Sequence, residues 1–372
     1  MQFADIPGLH DLKHQLTTAF ARGKVAHAQL FSGRAGTAVL PMALAYASYL
    51  MCANRTDEDS CGTCANCTRI GKIIHPDLHL FFPKVSASDS GKYDKVLAEA
   101  LPKYRTFVAE QPYGDLEDWA QAYGQENKNL LISREDSRQM LKNVSMRSVE
   151  GGYKIILIWH PELMNPSSAN AILKILEEPP EKTIYLLVSY NYEALLSTIT
   201  SRTQLVIVPP NTEEELVAFL DDTGVSKERA EMAVKLSEGT LRAALHYAQE
   251  EDNHEYEAFQ KWMLECWNKN LTALVRRSED FSKAGKSAQR SALNYSLSLI
   301  RGAVVSAGGQ PAPALSAEEA AFISKFAAKL GTAKLERVYV LLNEAVTHLD
   351  RNSNPRITHL NLSLDIIGVL NG

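Results

Sequence analysis

Phe31-Ser32-Gly33-Arg34-Ala35-Gly36-Thr37-Ala38-Val39-Leu40 lies between an apolar run and a helical pattern, where a strand turns into a helix. Turns of this kind cradle phosphate on the free N–H groups of the helix N-terminus. The pattern G-x-x-x-x-G-K-[ST] adds a lysine for the β- and γ-phosphates and a hydroxyl for magnesium. In that register Gly33 is the first glycine and Gly36 an extra one, while Ala38, Val39 and Leu40 replace the second glycine, the lysine and the hydroxyl. Valine and leucine can neither neutralise a phosphate nor bind a metal. The turn keeps its shape signal and has lost its chemistry.

Around it, apolar runs alternate with helical patterns. The strands expected are His27–Phe31, Asp77–Phe82, Tyr153–Trp159, Thr183–Ser189 and Gln204–Val208. The last three are nearly continuously apolar, as strands covered on both faces of a parallel sheet are. Ser133 opens a helix over Arg134–Val144; Asn165 caps another with Pro166 at its first position and Pro179-Pro180 after it. The fold class is therefore α/β, with a parallel five-stranded sheet over residues 1–209. A polar stretch at about 84–130, broken by Gly91, Pro102, Pro112 and Gly114, reads as an insertion holding one amphipathic helix (Val96, Leu97, Ala100, Leu101, Tyr104). Beyond Pro209-Pro210, Thr212 and Glu215 form a capping box. Short helices fill 210–251, and helical periodicity continues over 252–372, making both parts all-α. Its segments are Phe259–Trp267, Leu271–Phe281, Ser287–Val305, Ala317–Leu330, Ala333–Leu349 and, after Asn354-Pro355, Ile357–Leu370.

A chain of 372 residues, 45% hydrophobic, can build two or three domains with real cores. Its net charge of −5 argues against a dedicated nucleic-acid binder. Without an apolar run of about 18 residues or a basic-then-apolar start, the expectation is a cytoplasmic protein with no membrane contact. Four of the five cysteines, Cys52, Cys61, Cys64 and Cys67, fall in the spacing C-x8-C-x2-C-x2-C. Four soft ligands close a tetrahedral sphere and suit structural zinc; a redox dithiol is the rival reading. Cys266, beside Trp262 and Trp267, reads as core.

Nucleotide-hydrolysing sheets also need a later strand ending in an acidic pair that holds magnesium. Here Ile155-Ile156-Leu157-Ile158 ends in Trp159-His160, and Glu162 lies past the strand end. Lysine and carboxylates are thus both missing.

Several stretches together resemble the delta-prime type of bacterial DNA polymerase III clamp-loader subunits, AAA+ proteins. They are residues 27–33 (HAQLFSG), the cysteine module, 150–154 (EGGYK), 170–180 (NAILKILEEPP) and 198–204 (TITSRTQ). The resemblance implies an AAA+ module with zinc inserted after the first helix, a helical lid and a helical collar in a hetero-pentameric ring with gamma/tau and delta subunits. It implies a non-hydrolysing subunit with no bound ATP, since gamma and tau keep the lysine and acidic pair. The ring would load the sliding clamp onto primer-template DNA, touching the clamp only indirectly. The family's Ser-Arg-Cys motif stands here as Ser201-Arg202-Thr203, which implies that Arg202 acts catalytically in trans on ATP held by the neighbouring subunit. Arg242 matches a lid arginine that, in a dead site, serves to tie lid to core by a salt bridge. Glu177-Glu178 at a helix C-terminus oppose the dipole and point to an interface or ion-pair role. An ATP-binding or hydrolysing subunit with an unorthodox site is the alternative, and a DNA-binding zinc protein a third reading.

Overall fold

A computed structural model describes residues 1–86, 90–126, 128–237, 239–249, 254–309, 317–351 and 353–371. The chain divides into two compact units, Met1–Phe219 with Gly239–Arg242, and Leu220–Glu238 with Ala243–Gly372.

The first unit is built on five parallel strands: β1 (Ala28–Ser32), β2 (Leu78–Phe81), β3 (Lys154–Trp159), β4 (Thr183–Ser189) and β5 (Gln204–Ile207). Their order across the sheet is β2-β3-β4-β1-β5. Every residue of β1, β3 and β4 is buried, as their unbroken apolar runs require. β5 departs from that expectation. It is an edge strand, and Leu205 and Ile207 are 44% and 53% exposed.

Local chemistry sets the helix ends. Asn165 Oδ1 accepts from Ser168 N at 2.8 Å and starts the helix Pro166–Glu177, whose Ala169, Ile172 and Leu176 are buried on the sheet. Ser133 caps Arg134–Ser145. Thr212 and Glu215 form the expected reciprocal box, at 3.2 and 3.0 Å, ahead of the helix Glu213–Asp222. The Glu150-Gly151-Gly152-Tyr153-Lys154 stretch has a structural account as well. Lys154 Nζ donates to the carbonyls of Asn143 (2.9 Å) and Val144 (3.2 Å) at the end of the Arg134–Ser145 helix. Asp77 receives Val149 N (2.8 Å), Glu150 N (2.9 Å) and Ser148 Oγ (3.0 Å). Burial pushes the Asp77 carboxyl up, but these donors outweigh it and hold it below its ordinary value.

The inserted stretch holds two helices, Ser90–Glu110 and Leu116–Tyr123, where one was expected. Pro102 lies inside the first, as the helical pattern from Val96 to Tyr104 implies. An internal proline costs about 3 kcal/mol, and here a row of buried side chains, among them Ala100, Tyr104, Phe107 and Val108, offsets it. The ends of the insertion meet: Lys84 and Leu131 exchange both backbone hydrogen bonds at 3.1 Å. Lys84 Nζ is paired with the buried Asp136, which also accepts from Tyr93 Oη (3.0 Å).

The second unit is all-helical over its described residues. Lys227–Ser237 precedes His254–Trp267, Leu271–Lys283, Lys286–Ala307, Ala317–Leu330, Thr332–Asp350 and Pro355–Asn371. Their shared core holds Trp262, Leu274, Ile300, Leu335 and Ile366. Cys266 is buried there and donates to Ser363 O, so its reading as a core residue holds. Among the described residues no helix is long and apolar enough to cross a membrane.

Candidate functional site

The turn after β1 runs over residues 33–38 into the helix Val39–Met51. Its two glycines have different reasons to be there. A Cβ on Gly33 would stand 2.5 Å from the Val208 carbonyl, so close packing against the chain beyond β5 demands glycine whether or not phosphate binds. Gly36 has φ +81°, a left-handed conformation that glycine adopts freely. The side chains of Val39 and Leu40, at the lysine and hydroxyl positions, are wholly buried.

At the neighbouring strand ends, Trp159 closes β3 and is also fully buried. Its Nε1 donates to Tyr190 Oη at 3.3 Å. Burial raises the Tyr190 phenol, and the Trp159 N–H that it accepts opposes that. His160 adopts φ +55° and its Nδ1 lies 3.0 Å from Glu162 Oε1, which also accepts from Tyr190 N at 3.3 Å. Glu162 is thus folded inward onto His160 and Tyr190, away from any role as a replacement for the acidic pair.

The insertion covers this corner. Tyr104 and Phe107 approach Trp159 with ring centroids at 5.5 and 5.8 Å, and Trp119 meets Tyr104 edge-on at 5.2 Å. Phe82 stacks on Tyr104 at 4.0 Å. Asp115 and Asp118, the cap and third residue of the Leu116–Tyr123 helix, grip Arg242. Nε and Nη2 reach the two Asp118 oxygens at 2.6 and 2.7 Å, and Nη1 reaches Asp115 Oδ2 at 3.0 Å. Burial first, then the Asp115 charge, push the Asp118 carboxyl up, against the pull of Arg242. Burial also works against the Arg242 charge, but the two carboxylates outweigh it. Arg242 N donates to Gly36 O at 3.0 Å, returning to the turn. Of these residues the sequence points only to Tyr104, as part of an amphipathic helix; Asp115, Asp118, Tyr190, Phe107 and Trp119 it does not mark. Their signal was an aromatic row in an otherwise polar stretch, followed by an Asp-x-x-Asp pair.

Arg202 lies elsewhere, beyond the short helix Ser197–Thr200. It is 35% exposed, with Nε 2.7 Å from Glu177 Oε1 and Nη1 3.0 Å from Thr198 O. Glu177 thus has the ion-pair role its placement suggested. The two residues line an open groove of about 700 Å³ with His27, Leu176 and Thr203.

The four cysteines converge. Their sulfurs all lie within 4.8 Å of one another, Cys52 and Cys64 at 4.0 Å. A tetrahedral ion about 2.3 Å from each sulfur separates them by just under 4 Å, so the donor set fits a soft cation. Backbone N–H groups already point at the sulfurs: Cys61 N to Cys52 (3.2 Å), Cys64 N to Cys61 (3.3 Å) and Cys67 N to Cys64 (3.5 Å). Such donors favour thiolate; those of Cys64 and Thr63 bring Cys61 down to about 6. Burial pushes Cys67 the other way, a cost that a bound cation would offset.

A parallel sheet with a Gly-bearing turn after β1, a four-cysteine module between β1 and β2 and helical C-terminal parts make this an α/β protein with all-α segments after the sheet. A family model described as "DNA polymerase III, delta subunit" matches residues 8–212, more than half of the chain, and the chain belongs to that family. It is similar to DNA polymerase III subunit delta' of Yersinia pestis, 28% identical over 53% of this chain and 45% of that one. It is also similar to subunit tau of Escherichia coli, 28% identical over 65% of this chain and 32% of that one. The chain spans about half the length of the delta' relatives it matches, 45% and 56% for those of Yersinia pestis and Bacillus subtilis. A gamma-subunit-related structure from Thermotoga maritima covers 96% of this chain and 99% of its own at 15% identity and TM-score 0.42, a likeness that carries no argument.

Proposed function

We propose that the chain is a non-hydrolysing, delta-prime-type clamp-loader subunit of the DNA polymerase III holoenzyme. It braces a ring with gamma/tau and delta subunits and offers Arg202 to ATP on its neighbour while the ring loads the sliding clamp onto primer-template DNA. In this reading residues 1–209 form the AAA+ module, 210–251 the lid and 252–372 the collar, and Cys52, Cys61, Cys64 and Cys67 hold a structural zinc.

One observation carries the reading. The positions that should supply lysine, hydroxyl and carboxylate are Val39, Leu40 and Trp159, all wholly buried, so each belongs to the core and none faces a ligand. Arg202, by contrast, stays partly exposed on a groove. The exposed Leu205 and Ile207 on the adjoining edge strand support an intermolecular face there.

The test is Arg202→Ala in a reconstituted loader. Assembly should be retained and clamp-dependent ATP turnover should fall, by roughly 10³–10⁵ at a single site if the arginine acts as such groups do elsewhere. Unchanged turnover overturns the role in trans. Tight, magnesium-dependent binding of labelled ATP by the isolated chain would favour the unorthodox ATPase instead.

A further inference from the structure

Open α/β sheets take their ligands in the crevice outside the carboxyl ends of the strands. In this chain a continuous line of protein contacts runs along that crevice. It runs from Tyr190 to Trp159 through the 3.3 Å hydrogen bond. It continues through Tyr104 to Trp119, at 5.5 and 5.2 Å between centroids. Asp118, next in the helix, holds Arg242 at 2.6 Å, and Arg242 N returns to Gly36 O at 3.0 Å. Apolar rings from the insertion pack on Trp159, and two carboxylates hold Arg242, whose backbone bonds the Gly33–Ala38 turn.

We infer that the insertion is an internal surrogate ligand: Asp115 and Asp118 present to Arg242 the negative charge that a polyphosphate would present, so the arginine is satisfied without nucleotide. The chemistry fits. A guanidinium beside a strand–turn–helix junction is the donor set for a phosphate chain, and two carboxylates supply the same bidentate, charge-assisted bonds. Both carboxylates are locked for the task. Asp115 Oδ1 accepts from Glu117 N (2.9 Å) and Asp118 N (3.1 Å), and Asp118 Oδ2 accepts from Asp115 N (2.9 Å). The inference rests on reading the turn as a disabled nucleotide site, and it assigns the insertion a role.

The test removes charge while keeping shape. Asparagine caps helices as well as aspartate, so Asp115→Asn with Asp118→Asn retains the capping oxygens and removes the two carboxylate charges that Arg242 holds. Inorganic tripolyphosphate, titrated against each protein and read by thermal shift and calorimetry, should leave the wild-type chain unmoved. It should bind the double variant about tenfold or more tightly, and adding Arg242→Ala should abolish the gain. Asp118→Asn alone, which leaves the Asp115 cap untouched, should show a smaller gain in the same direction and serves if the double variant does not fold. Equal responses in wild type and variants, or no response in any, overturn the surrogate role. Labelled ATP bound by the wild-type chain would instead overturn the proposed function, so the two failures are distinguishable.

Discussion

Replacing Trp159 with alanine should strip the insertion of its main anchor on the sheet. Trp159 is fully buried, with Tyr104 and Phe107 at 5.5 and 5.8 Å and Tyr190 Oη at 3.3 Å. A buried tryptophan hides about 150–250 Å², worth roughly 4–6 kcal/mol at about 25 cal/mol/Å². Alanine recovers part of that but leaves a cavity, and substitutions of this kind cost about 3–5 kcal/mol. For a unit of this size each kcal/mol moves Tm by about 2–4 °C, so the transition should fall by about 6–20 °C. Phe107→Ala belongs to a second limb of the same experiment. If the rings touch as described, the double variant should lose about 0.5–1.5 kcal/mol less than the sum of the single losses. Urea and thermal unfolding by circular dichroism give the free energies, and Trp119 fluorescence reports on the crevice. A Tm within about 3 °C of wild type, or strict additivity, refutes the packing of the insertion on the end of β3.

Two further outcomes are expected. The purified chain should carry about one zinc ion, and Cys64→Ser or chelation should release it and speed hydrogen exchange over residues 52–71; a variant that keeps its full metal content would count against the four-thiolate site. In the second unit, burial first and then Arg277 hold the His359 imidazole down at about 4, with Ser278 Oγ 3.0 Å from Nδ1. An unfolded imidazole titrates near 6.5, so the unfolded chain binds the proton more readily. Stability is then fully present above about pH 6.5 and declines by roughly 3 kcal/mol as the pH falls to about 4. His359→Gln should flatten that decline in urea unfolding, and an unchanged pH slope would exclude the assignment.

Much of the fold was legible because its signals are local. The apolar runs at 155–158 and 184–188 are buried strands, and Asn165-Pro166, Ser133, Thr212/Glu215 and Asn354-Pro355 open helices where their capping chemistry says they should. β5 was misread for a nonlocal reason: strand order puts it at the edge, and no periodicity within four residues reports that. The helix Leu116–Tyr123 escaped because eight residues carry little periodicity, although Asp115 and Asp118 form its capping box. At the site, the losses at Val39 and Trp159 could be read from position alone. What replaced them could not, because Asp118 and Arg242 are 124 residues apart and meet only when the sheet brings them together.

The paired backbones of Lys84 and Leu131 place the two roots of the insertion about 5.5 Å apart, the spacing of a mutually bonded antiparallel pair. A splice across that gap, closed by a tight turn, would leave all five strands in register. It would also uncork the mouth of the crevice, exposing a tryptophan and a tyrosine to water. Loss of the segment and the identity of residue 159 are thus coupled, because the rings that keep that indole dry belong to the part removed.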